Sequence, residues 1–198
     1  MDERGGVEQR SHKVVLAGVG GSGVVWNGTL IARAGLRGYP HVSRLPNFTT
    51  SMRGGPCECM VVLSTSPIVT PLVLRGDALL ILDSSQLGPF EERVSPGGLI
   101  VLESSGGGGV SRDDVGVLRV PAVELASEMG NPLVSSMIIL GAYVQATGVF
   151  PPQLIEEEIE ARLGSAAADG GAGSRSTLLS DNRDAFRRGI ALARDTRA

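Results

Sequence analysis

The stretch LAGVGGSGVVWNG, residues 16–28, does most to restrict what this chain can become. It sets glycines at 18, 20, 21 and 23 between an apolar run and a helix-like one. KVVLAG (13–18) is short, rich in β-branched residues and stopped by glycine, which predicts a buried parallel strand. From Ser22 to Leu36, the residues Val24, Gly28, Ile31 and Gly35 recur at helical spacing. A helix therefore follows at once, and its small residues allow it to lie close on a sheet. A strand that runs into a glycine turn and then a helix is the opening unit of an α/β domain.

The rest of the chain keeps the alternation. HVSRL predicts a strand between Pro40 and Pro46, and PCECMVVLS (56–64) predicts another. In the latter, Cys57, Cys59, Val61 and Leu63 alternate with Glu58, Met60 and Val62. DALLILD (77–83), GGLIVLE (97–103) and GVLRVP (116–121) read as further strands, with SQLGPFEERV as a short crossover. Helices are expected near 121–129, 132–147, 152–163 and 177–194, the third entered through Pro151 and Pro152. The fold class expected is α/β: a Rossmann-like, mostly parallel β-sheet with helices on both faces. A polar N-terminal tail (1–12) precedes a single domain (13–196). Flexible loops are expected at 104–114 and 165–176, where Gly, Ala and Ser dominate. With 198 residues the chain is long enough to bury a core. Its 28 glycines and 4% aromatics suit Val, Ile and Leu strands under small-residue helices.

Gly18, Gly20 and Gly23 satisfy G-x-G-x-x-G between strand and helix. That arrangement makes a tight turn, lets a pyrophosphate approach the backbone, and points a helix N-terminus at the anion. A dinucleotide site also wants an acidic residue about 20 positions on. Residues 37–46, RGYPHVSRLP, hold neither Asp nor Glu, although Arg37 or Arg44 could serve an NADP phosphate. Three readings stay open: a freestanding NAD(P)-binding reductase, a structural module whose glycines only pack, and a loop for some other phosphate-bearing ligand.

TTSMRGGPCECMVVLSTSPIVTP (49–71) places Arg-Gly-Gly just before a strand and Ser-Pro-Ile just after it. With the glycine loop upstream and DALLILD, GNPLVSSMIILGA (130–142) and NRDAFRRG (182–189) downstream, the chain resembles the gamma-type subunit of the 2-oxoacid:acceptor (ferredoxin) oxidoreductases. These include the pyruvate, ketoisovalerate, 2-oxoglutarate and indolepyruvate enzymes. The resemblance runs from about 13 to 190. It implies a domain set over a catalytic core built by other subunits. There, thiamine diphosphate with Mg decarboxylates the 2-oxoacid, iron–sulfur clusters pass electrons to ferredoxin, and coenzyme A accepts the acyl group. By the same resemblance Gly18, Gly20, Gly21, Ser22 and Gly23 line a coenzyme A site, and Arg53 with Gly54 and Gly55 joins it. The family commonly has Gln where Ser22 stands and a second Asn where Ser136 stands.

Arg53 also has a case of its own. A guanidinium between flexible glycines at the mouth of a sheet can grip a phosphate or carboxylate with forked hydrogen bonds. The alternatives are a solvated turn residue or a partner for Glu58.

Several classes are disfavoured. The net charge of −3 without a basic block argues against nucleic acid. No signal-like or membrane-length apolar segment is seen, so a soluble cytoplasmic protein is expected. Cys57 and Cys59 read as core hydrophobes, since a cluster normally needs four thiolates. The magnesium-binding Gly-Asp-Gly of a thiamine diphosphate site is missing: Gly76-Asp77 lacks a third glycine. No catalytic or metal-ligating set is expected in this chain. His12 falls in the polar tail and His41 reads as a surface or packing residue. Glu156-Glu157-Glu158 reads as a solvated helix face; Asp77 and Asp83, at strand ends of an open sheet, could touch a ligand, with capping or turn roles favoured.

Overall fold

The computed structural model describes residues 10–48, 55–164 and 172–196. They form strands β1 (Ser11–Val19), β2 (His41–Phe48), β3 (Pro56–Ser64), β4 (Gly76–Ile81), β5 (Val94–Glu103) and β6 (Gly116–Val120). The helices are α1 (Val24–Gly35), α2 (Leu87–Phe90), α3 (Ala122–Glu128), α4 (Ser135–Thr147), α5 (Gln153–Leu163) and α6 (Ala172–Asp195), with short 3-10 turns around α2 and before α4. None of the described helices is long and apolar enough to cross a membrane.

The strands make one sheet in the order β2-β3-β1-β4-β5-β6. The pairs β1–β4, β4–β5 and β5–β6 are parallel, whereas β3 runs antiparallel to both of its neighbours. The α/β class is as expected, and the reversed β3 makes the sheet mixed. Side-chain periodicity is the same for either strand direction, so the reversal left no mark in the pattern.

Alternation sends successive residues to two cores. Val14, Leu16, Cys57, Cys59, Val61, Leu63, Ala78 and Leu80 face α1 and α3–α6. Val15, Ala17, Met60, Val62, Leu79, Ile81, Ile100 and Leu102 face the other way. The two faces are covered unequally. On the second, the one helix among the described residues is the four-residue α2, and Ile68, Val73, Val110 and Val115 from loops complete the cover. Arginines fasten these loops. Arg93 donates to the carbonyls of Val73 and Leu74 and reaches Glu58 at 2.7 Å. The segment 104–114 forms no regular element, yet it is tied down. Glu91 Oε1 accepts from the N–H groups of Ser111 and Arg112, and Arg112 donates to the carbonyl of Val94.

On the helical face, glycines set the spacing. A Cβ at Gly28 would meet Cys59 Sγ at 2.5 Å, and one at Gly35 would collide with Leu63. Helix α4 is buried from Ser136 through Val144 between the sheet and α6. There a Cβ at Gly141 would collide with the Phe186 carbonyl, and one at Gly189 with that of Ile138. Thus the two C-terminal stretches noted in the sequence, 130–142 and 182–189, are the two halves of one close helix crossing.

Three expectations are corrected. The acidic run is not a solvated face: Glu158 is buried and takes Arg33 at 2.6 Å, Glu157 takes Arg37 at 2.9 Å, and Glu156 takes Arg187 at 2.7 Å. The run therefore bolts α5 to α1 and α6, through partners too distant in sequence to be read locally. Helix α6 begins at Ala172, inside the stretch read as a flexible linker (165–176), of which 165–171 lie outside the described residues. Extending an existing helix backwards costs little compared with starting one. His12 belongs to β1 and not to a tail; its Nε2 sits 2.8 Å from the Tyr143 hydroxyl. Its polar neighbours hid a strand that pairs with β3 from Ser11 onward.

Two outcomes follow. Gly189→Ala or Gly141→Ala should cost about 2–3 kcal/mol in urea denaturation, because backbone atoms cannot step aside. Gly38→Ala, with nothing within 4 Å, should stay within about 0.5 kcal/mol. Burial holds the His12 pKa below its ordinary 6.5, against the opposing pull of Asp77. The unfolded chain therefore binds the proton first. The stability from neutral His12 is complete above pH 6.5 and falls as pH drops through 6.5 toward the lowered folded value. His12→Asn should remove that part of the pH dependence, read from denaturation midpoints between pH 8 and 5.

Candidate functional site

The carboxyl ends of β1 and β4 flank the point where the chain changes sides. From β1 it crosses the helical face through α1, and from β4 it crosses the other face through α2. Open α/β sheets bind ligands in the crevice at such a switch point. The glycine loop stands there.

Gly18 is the last buried residue of β1, and a Cβ on it would collide with the Ser22 hydroxyl. Ser22 turns inward: its N–H and its hydroxyl both donate to the Val19 carbonyl, at 3.0 and 2.8 Å. Gly21 has φ 97° and Gly23 has φ 89°, a left-handed backbone that other residues rarely adopt. Gly23 precedes α1 as its N-cap with no side-chain cap, and the first turn of α1 has no acidic residue. With no side-chain cap, the N–H groups of that turn are left for an anion.

Antiparallel pairing of β1 with β3 brings Val19 opposite Pro56. The Gly20 N–H donates to the Gly55 carbonyl at 3.0 Å. The glycine loop and the end of the Arg-Gly-Gly segment, far apart in sequence, are thereby fastened together. Arg53 and Gly54 lie outside the described residues. On this side of β1 a dinucleotide fold has a parallel strand ending in its acidic residue. Here the position is filled by the start of the reversed β3. Arg37, considered for an NADP phosphate, is paired with Glu157.

Under the loop lies a contact that the sequence concealed. A Cβ at Gly23 would meet Ser136 Oγ at 2.5 Å, and the buried Asn27 donates its amide to the Ser136 carbonyl at 2.8 Å. Ser136 thus packs under the glycine loop that contains Ser22. Asn131 instead holds the turn before α4: it accepts from the Leu133 N–H and donates to Asp181.

Beside the loop, at the ends of β4 and β5, is a cavity of about 320 Å³ lined by Leu82, Asp83, Ser84, Glu103, Ser105, Gly106 and Val123. It joins the loop through Leu82, whose Cβ lies 3.3 Å from where a Gly18 Cβ would be. Asp83 accepts from the Ser85 N–H and hydroxyl, in keeping with a turn role. Asp77 sits at the opposite end of β4 and accepts from the Lys13 N–H. Sequence reasoning weighed Asp83 as a strand-end residue that could touch a ligand and favoured a turn role, and it passed over Glu103; an acidic side chain following each of two adjacent parallel strands, Asp83 and Glu103, is the signal that marks the cavity.

The thiols are inert core groups. Burial pushes the Cys59 pKa up to about 11 against the opposing Arg44, and raises that of Cys57 as well. Among the described residues no group of three or more His, Cys, Asp or Glu could hold a metal.

Residues 13–192 match the family of pyruvate ferredoxin/flavodoxin oxidoreductases. The chain is 33% identical over 132 residues to a ketoisovalerate oxidoreductase subunit VorA of Methanothermobacter thermautotrophicus, covering 65% of this chain and 27% of the relative. It is 27% identical over 154 residues to a 2-oxoglutarate synthase subunit KorC of Methanocaldococcus jannaschii, covering 74% and 81%. In fold it is similar to a 2-oxoglutarate:ferredoxin oxidoreductase from Magnetococcus marinus, solved with 2-oxoglutarate, coenzyme A and succinyl-CoA bound. The TM-score is 0.81 at 22% identity, over 94% of this chain and 31% of that one. Thus the chain spans less than a third of the length of two of these proteins. With the match running through every strand and into α6, the chain belongs to the pyruvate ferredoxin/flavodoxin oxidoreductase family.

Proposed function

We propose that this chain is the gamma-type component of a 2-oxoacid:ferredoxin oxidoreductase and offers the phosphates of coenzyme A a backbone cradle at the glycine loop. The observation that carries the reading is the hydrogen bond from Gly20 to Gly55, which joins the loop to the Arg-Gly-Gly segment at the switch point. Positive φ at Gly21 and Gly23 and an uncapped α1 favour a pyrophosphate held by N–H groups. Arg53, two residues before Gly55, is the side chain assigned to a phosphate oxygen, with Gly54 and Gly55 allowing close approach.

Coenzyme A, when bound, supplies the thiol that accepts the acyl group. This chain's own part is to hold and orient that cofactor. The chemistry of decarboxylation and electron transfer falls to partner subunits carrying thiamine diphosphate, Mg and iron–sulfur clusters, with ferredoxin as acceptor and the cytoplasm as compartment. Neither buried thiol is suited to act as a nucleophile, which agrees with a binding role. The reversed β3 in place of an acid-bearing parallel strand weighs against a nicotinamide dinucleotide at the same loop.

Titration calorimetry on the full chain tests this reading. Coenzyme A should bind, and Arg53→Ala should weaken it about tenfold or more, the loss of a charge-assisted contact of about 1.5–3 kcal/mol. NAD(P)+ should bind much more weakly than coenzyme A. Unchanged affinity in Arg53→Ala, or tighter binding of NAD(P)+, would sink the reading.

A further inference from the structure

We infer that the cavity beside the glycine loop is a subsite for an uncharged, hydrogen-bond-donating segment of the phosphorylated ligand, and that Asp83 and Glu103 are its acceptors. The inference rests on the phosphate reading of the loop and extends it to a neighbouring group of residues.

The chemistry follows from which oxygens are already engaged. Glu103 is buried at 4% exposure, and both hydrogen bonds it accepts among the described residues, from the N–H groups of Ser105 and Val123, land on Oε1. Asp83 likewise spends Oδ1 on the Ser85 N–H and hydroxyl. Each carboxylate is therefore locked in place by backbone through one oxygen, and each retains a second oxygen as an acceptor. Both side chains line the same cavity of about 320 Å³, near the lower end of the range for small-molecule sites. Carboxylate acceptors in a half-enclosed space select donors, namely hydroxyl or amide N–H groups, and repel phosphate. The glycine loop, with N–H groups and a helix N-terminus, has the opposite preference. Leu82 lines the cavity and packs beside Gly18 at the base of the loop, so one ligand can lay its phosphates on the loop and its neutral, donor-bearing part in the cavity. In coenzyme A two segments have that chemistry, the adenine base and the pantetheine arm, whereas the ribose carries a 3′-phosphate that the carboxylates would repel.

The test is titration calorimetry on the full chain in EDTA buffer, with inorganic pyrophosphate, ADP, 4′-phosphopantetheine and coenzyme A as probes. Asp83→Asn keeps an acceptor for the Ser85 N–H and turns the second oxygen into a donor. Val123→Trp fills the cavity from an exposed position on α3, so it spares the core. Both variants should weaken coenzyme A tenfold or more and leave pyrophosphate within twofold of wild type. Whichever of ADP and 4′-phosphopantetheine weakens alongside coenzyme A identifies the segment seated in the cavity. Coenzyme A binding within twofold of wild type in both variants would overturn the inference. So would a parallel loss of pyrophosphate binding, or wild-type binding that appears only with added Mg2+. If wild type binds neither pyrophosphate nor coenzyme A, the glycine-loop reading itself fails, a result seen before any variant is compared.

Discussion

The antiparallel pairing of β3 with β1 is the constraint on which the rest of this molecule depends. It sets Gly18 opposite Cys57 and Val19 opposite Pro56. The amino end of one strand then lies beside the carboxyl end of the other. A parallel β3 would send Gly55 to the far end of the sheet. Reversed, it delivers Gly55 to the glycine loop, where its carbonyl accepts from the Gly20 N–H. The same strand turns Cys59 and Leu63 toward Gly28 and Gly35, and so fixes how closely α1 lies on the sheet. One strand direction thus decides both the shape of the site and the seating of the helix that completes it.

Glycine serves two separate physical ends along this chain. At 21 and 23 it supplies backbone angles that a side chain resists. At 28, 35, 141 and 189 it removes a Cβ that would strike a neighbouring strand or helix. The second group makes the helical layer dense: α4 is buried along nearly its whole length, with α6 pressed onto its backbone. The rigid α4 then meets the loop from below through Ser136, against Gly23 and Asn27. Electrostatics divides the rim of the sheet in turn, with open N–H groups after β1 and paired acceptors after β4 and β5.

Much of this was legible in the sequence. Strand β3 was outlined from Pro56 to Ser64 by alternation alone, and every strand and long helix was located. The glycine loop was found because its residues are contiguous and its pattern reports a local turn. Strand direction was hidden, because alternation has the same period either way. The acidic run was misread because its partners Arg33 in α1, Arg37 in the turn after it and Arg187 in α6 are distant in sequence. His12 was misplaced because a polar edge of a strand looks like a tail until Tyr143 is brought to it. At the site, Asn27 and Ser136 lie more than a hundred residues apart, and only the folded helical layer joins them.

Hydrogen–deuterium exchange of the full chain, with and without coenzyme A, tests most directly whether the glycine loop and the Arg-Gly-Gly segment form one site. The account predicts that coenzyme A slows exchange at residues 20–27 and at residues 53–57 together, over the same range of concentration. Protection of only one of the two segments, or of neither while another part of the chain is protected, would contradict it.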